Sequence, residues 1–233
     1  MNNLLEQLHN QGKVWSANQT SAKKKAVDTG YALLNHYLQG GFPQEGVIEI
    51  QSPVGIGELR LLLPYIEKLV ALDKKAHREE RQLVFIAPPA HLNALMFIQQ
   101  NFALERLLII ASQCDKDALW AAEQCLKSGC CLMVFLWQQS FLIHQIKRLK
   151  QAANTGKAVH IIFRSHHSVD FCLPVSVTLA LSPHAQGLKI HIKKQLAGWP
   201  CEPFVLDMCQ QWPSLTQLPI ATNVVPLSVA KIG

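Results

Sequence analysis

The chain has 233 residues, of which 49% are apolar and 16% charged, and a formal net charge of +6. That balance excludes a disordered or low-complexity polypeptide, and the length suits one α/β domain with a tail, enough to bury a sizeable core. No apolar run reaches the roughly 18 residues of a membrane span, because Leu59 to Leu72 is broken by Arg60, Pro64, Glu67 and Lys68.

The opening MNNLLEQLHN places Leu4, Leu5 and Leu8 at helical spacing, which predicts a short amphipathic helix. It lacks the basic segment and uninterrupted apolar core of a signal peptide. A polar, lysine-bearing linker from Ser16 to Val27 completes an N-terminal segment over 1–27. Asp28-Thr29-Gly30 then precedes a helical pattern with Leu33, Leu34, Tyr37 and Leu38, stopped by Gly40-Gly41 and Pro43.

From there strands and helices alternate. Strands are expected over 46–51, 82–87, 106–110, 131–137 and 158–163, and helices over 57–73, 91–101, 115–128 and 140–154. The strands are continuous apolar runs such as CLMVFLW and AVHIIF, the pattern of strands covered on both faces. The fold class that follows is α/β, a mostly parallel sheet flanked by helices. SVTLALS and GLKIHIKKQ predict antiparallel strands near the C-terminal end, and PFVLDM another strand. The core domain spans 28–207 and the tail 208–233; the stretch from 198 onward holds five prolines and little periodicity.

Seven cysteines without a CxxC pair, including the adjacent Cys130 and Cys131, fit reduced thiols in a cytoplasmic protein rather than a disulfide framework or zinc site. No metal is expected. His166 and His167 lie near Asp170, but neighbouring side chains on an extended segment point to opposite faces and chelate poorly. No GxSxG elbow is present, and Cys114 with Asp115 and Asp117 reads as a helix entry.

One stretch has the layout of a phosphate-binding loop: EGVIEIQSPVGIGELRLLLP runs strand, glycine turn, leucine-rich helix. A working loop reads GxxxxGK[ST], with backbone N–H groups cradling phosphates, lysine balancing charge and a hydroxyl holding magnesium. Here Ser52 stands at the first glycine, Gly55 lies inside, Gly57 keeps the second glycine, and Glu58 and Leu59 replace the lysine and the hydroxyl. Two unit charges about 4 Å apart near a surface interact by roughly 4 kcal/mol, so exchanging lysine for glutamate opposes a triphosphate strongly. The strands QLVFIAPPAH and CLMVFLWQQS end in Pro88-Pro89 and Trp137-Gln138, offering no acid for a metal or a water. No nucleotide or other cofactor is expected, and no catalytic residue; a divergent ATPase with a remodelled loop is the enzymatic alternative.

DTGYALLNHYLQGGFPQEGVIEIQSPVGIGELRLLLP resembles the opening of the RecA core, and the resemblance extends over about residues 13–207. Within that superfamily VWSA, GIGELRLLLP, APP, DALWAAEQ and LKIHIKKQ resemble ImuA, the RecA-like accessory protein family of translesion synthesis in the SOS response to DNA damage. The resemblance implies a RecA-like fold and a non-catalytic adaptor that binds an ImuB-like polymerase homologue, with RecA or a C-family DNA polymerase as further partners. SulA, a cell-division inhibitor that binds FtsZ and blocks its polymerisation, belongs to the same degenerate branch and is similar at the leucine-rich helix and at GLKIH. RecA's first DNA-binding loop has no room between Trp137 and Phe141, so a DNA contact is left open, as is a homo-oligomer.

Candidate contacts for a partner or DNA are the clustered cations. Lys147, Arg148 and Lys150 fall on the polar side of the helix expected over 140–154, and Lys189, Lys193 and Lys194 on a late strand. The element that carries Lys193 and Lys194 resembles one that packs against a neighbouring subunit in RecA, which implies a partner-facing role. Trp212, among tail prolines, is either an exposed binding anchor or a residue that closes the core, whereas Phe204 is expected to be buried.

Overall fold

The computed structural model describes residues 25–76, 81–165, 173–195 and 201–213. The helix expected over 1–12, Lys23 and Lys24, the His166-His167 pair, Trp199 and the tail from 214 lie outside the described residues. In chain order the elements are β1 (Ala26–Val27), α1 (Ala32–Tyr37), β2 (Phe42–Pro43), β3 (Gly46–Gln51), α2 (Glu58–Lys75), β4 (Gln82–Ile86), α3 (Ala94–Gln99), β5 (Leu107–Ile110), α4 (Asp115–Lys127), β6 (Cys131–Trp137), α5 (Ile143–Gly156), β7 (Val159–Arg164), β8 (Val177–His184), β9 (Gly187–Gln195) and β10 (Phe204–Asp207). The sheet order is β10-β9-β8-β3-β7-β6-β4-β5, and β1 with β2 forms a separate ribbon.

Strands β8, β3, β7, β6, β4 and β5 pair in parallel, whereas β9 and β10 add antiparallel. The fold is therefore mixed α/β, a mostly parallel eight-stranded sheet with antiparallel strands at its C-terminal end. Alternation along each strand splits the core in two. Ile48, Ile50, Phe85, Phe135 and Phe163 face α1, α2 and α3. Val47, Val84, Val134, Leu136 and Ile162 face α4 and α5. Phe85, Phe135 and Phe163 stack across three adjacent strands at centroid separations of 4.5 and 6.3 Å, so each ring covers the next.

Local chemistry sets the element ends. Asp28 accepts hydrogen bonds from the Gly30 N–H (2.7 Å) and the Asn35 side chain (2.5 Å), closing the turn that starts α1. Gly30 has φ +86°, and a Cβ there would lie 2.3 Å from Cβ of Pro64, the proline inside α2. Only glycine fits the approach of that turn to the helix. Helix α3 is shorter than the 91–101 expected, because Asn93 caps it by accepting the Leu95 N–H (3.1 Å) and Asn101 leaves it with φ +57°. Helix α5 starts later than 140, at Ile143, where the Gln145 side chain accepts the Leu142 N–H (2.8 Å). Cys114 is the N-cap of α4, as its acids suggested.

At the amino end of the sheet Arg81 donates to Asp73 of α2 at 2.5 and 2.8 Å, and also to the carbonyls of Cys131 and Lys157. Its charge is thus paired and its N–H groups used, the condition for burying a guanidinium. Among the described residues no helix is long and apolar enough to cross a membrane. The six described cysteines are free thiols.

His160 of β7 is fully buried, with Nδ1 2.9 Å from the Val134 carbonyl oxygen and Nε2 without a partner. Burial pushes its pKa down from 6.5 to about 4. The unfolded chain therefore takes a proton near pH 6.5 that the folded chain refuses until about 4, and stability falls as pH falls through that window. Urea unfolding should show a loss of about 3 kcal/mol from this group alone. In His160→Leu the slope of stability against pH between these limits should be shallower by about 1.4 kcal/mol per pH unit.

Candidate functional site

The loop between β3 and α2 is filled by its own chain. Gly55 and Gly57 adopt φ +81° and +107°, which turns their N–H groups inward. The Gly55 N–H donates to Oε1 of Glu58 at 3.0 Å, and the Gly57 N–H donates to Oε2 at 3.1 Å. Glu58 is only 6% exposed. The amides that a phosphate loop aims at an anion are thus taken by a carboxylate from the first residue of the helix. A Cβ on Gly55 or Gly57 would meet nothing within 4 Å, so these glycines supply backbone conformation rather than room. Leu59 packs against the core and supplies no oxygen. Ser52, at the end of β3, is buried, with its N–H donating to the Arg164 carbonyl at 2.9 Å.

Among the described residues the carboxyl ends of the neighbouring strands carry no free acid. Gln138, where β6 ends, donates through Nε2 to the Ser140 carbonyl (2.9 Å). Within β3, Glu49 is 1% exposed and accepts from Arg164 (2.6 Å), Thr178 (3.0 Å) and Gln51 (3.1 Å). Gln51 in turn accepts from Lys193 at 2.7 Å, and Arg164 donates from Nε to the Gln139 carbonyl at 2.9 Å. Both carboxylate oxygens of Glu49 are engaged, so the group ties β3, β7 and β8 together and is not poised as a base. Sequence reasoning passed over this network. Its signal was one acid inside the apolar run GVIEIQ and one arginine ending VHIIFR.

The predicted cations fall in different settings. Lys147 and Arg148 are exposed on α5 and Lys150 is half-buried. Arg148 pairs with Glu123 of α4 at 2.5 Å, and Lys127 takes the other oxygen at 2.6 Å. The Lys127 hydrogen bond, aided by Arg148, holds the Glu123 carboxyl below its usual range. Lys189 is exposed, whereas Lys193 is tied to Gln51 and Lys194 donates to the Leu173 carbonyl (2.6 Å). Trp212 is not an exposed anchor. It is 8% exposed, its indole donates to the Tyr31 hydroxyl (3.3 Å), and the Arg60 guanidinium lies 6.0 Å from its ring. Burial pushes the Tyr31 pKa up to about 12, so that hydroxyl stays neutral beneath the indole. Among the described residues no three His, Cys, Asp or Glu side chains are placed to hold a metal ion.

No family model and no curated protein matches the chain. Among solved structures the chain is similar to the crystal structure of SulA from Pseudomonas aeruginosa, at 26% identity and a TM-score of 0.39. That match covers 51% of this chain and 97% of the other.

Two substitutions separate the loop from the network beneath it. Glu58→Ala frees two amides at a helix start, and chemical unfolding should register a loss of about 1–2 kcal/mol. Arg164→Met strands a buried carboxylate and should cost about 3–5 kcal/mol, with part of that loss recovered in the double variant Glu49→Leu/Arg164→Met.

Proposed function

We propose that this chain is a non-catalytic docking protein of DNA-damage tolerance, a RecA-like core that has given up nucleotide chemistry, and that it binds a polymerase homologue of the ImuB kind. The observation that carries the reading is the Glu58 carboxylate on the Gly55 and Gly57 amides. A triphosphate entering that loop would meet a negative charge where its counter-charge belongs, with Leu59 in place of the metal-holding hydroxyl. The sequence resemblance to ImuA names the pathway, with RecA or a C-family polymerase as additional partners. A RecA-like core without nucleotide exchange has its surfaces left as its means of action.

The rival is division control, in which the chain would bind FtsZ as SulA does. Three measurements on the full chain separate the readings. Titration calorimetry with magnesium-ATP should give no binding tighter than about 1 mM. The co-expressed polymerase homologue should bind with a Kd in about the micromolar range or below. Pelletable FtsZ should be unchanged at equimolar dose. Micromolar ATP affinity would restore the enzymatic reading, and loss of FtsZ polymer would favour the division inhibitor.

A further inference from the structure

The amino-terminal turn of α5 leaves apolar surface in the open. Phe141, Leu142, Ile143, His144 and Lys147 line a shallow groove of about 500 Å³. Leu142 is 59% exposed and Ile143 42%, although the buried positions of the same helix, Ile146, Leu149, Ala152 and Ala153, already satisfy the core. On the adjacent α4, Trp120 is 64% exposed. Glu123 and Arg148 bridge α4 to α5, and Trp120 and His144 stand one turn before them, at i−3 and i−4, so both share the bridged side of the helix pair.

On α5 the charge beside the groove has one sign, whereas the exposed acids of α4, Asp115 and Asp117, stand in its first turn on the far side of Trp120. From residue 124 to residue 169 the sequence contains no aspartate or glutamate. Glu123 of α4 is held by Lys127 and Arg148, while Lys147 at the groove makes no ion pair among the described residues. A nucleic acid would answer Lys147 and find a ring to stack on in Trp120, but it would leave Leu142 and Ile143, the most exposed aliphatic side chains of the groove, uncovered. A protein segment that presents acids beside an apolar side chain answers both features.

We propose that this face of α4 and α5 is the docking surface for an acidic segment of a partner protein that seats an apolar anchor in the groove between Leu142, Ile143 and Lys147, with Trp120 flanking it. The inference rests on the docking reading above and gives it a place on the molecule. All four residues are solvent-facing, so their substitution leaves the core intact, which an unchanged thermal midpoint verifies.

The test presents the full chain to a displayed library of random linear peptides and measures the selected peptides by fluorescence anisotropy. Enriched peptides should combine Asp or Glu with a leucine or an aromatic residue. Ile143→Ser and Lys147→Glu should each weaken them about tenfold or more, and a peptide with Lys in place of its acid should regain affinity for Lys147→Glu. Selection without that pattern, or binding indifferent to both substitutions, overturns the proposal. So does a single-stranded oligonucleotide whose binding is lost in Lys147→Glu and kept in Ile143→Ser, because the face is then a phosphate contact. The polymerase homologue separates the two levels of inference. If it binds the wild type and both variants alike, docking stands and this face is wrong. If it binds none of them while acidic peptides map to the face, the face stands and the partner is of another kind.

Discussion

Two backbone amides and one carboxylate close the turn between β3 and α2. A glycine turn between a parallel strand and a helix aims N–H groups at a single point, and something negative has to occupy it. Here Glu58, the first residue of α2, folds back and occupies it from within. The arrangement stabilises the helix start and satisfies donors that would otherwise need a ligand. The turn is thereby a packing element of the fold.

The rest of the sheet follows the same logic of internal closure. Glu49 pairs with Arg164 and accepts from Thr178 and Gln51, a buried network across the carboxyl halves of β3 and β7 and the start of β8. At the opposite edge Arg81 and Asp73 form a second buried pair that fastens α2 to the starts of β6 and β7. The buried charges at the two ends of the sheet are paired, whereas apolar side chains are exposed on helices α4 and α5, as they are on α3 and β5.

Much of this was legible in the amino-acid order, and the exceptions have physical causes. Strands β3 and β6 match their expected limits because continuous apolar runs between turn residues leave no other register. The ends of α3 and α5 moved because they are set by single side chains, Asn93 and Gln145, whose capping depends on where the preceding loop arrives. The β1–β2 ribbon escaped notice because two-residue strands have no period. At the site, the exchange of lysine and hydroxyl for Glu58 and Leu59 could be read directly. That the carboxylate would turn back onto Gly55 and Gly57 required two positive φ angles that no spacing encodes. Trp212 stood undecided in sequence, and its burial depends on Tyr31, 181 residues away along the chain. Trp120 drew no attention because a tryptophan within a helical period reads as core until its exposure is known.

The central claim is that Glu58 holds the anion position of its own loop. A crystal of the full chain soaked with magnesium and a non-hydrolysable ATP analogue tests it most directly. The account predicts both Glu58 oxygens on the Gly55 and Gly57 amides, with no phosphate density over the loop. Phosphates seated on those amides, with the Glu58 side chain swung out to solvent, would contradict it.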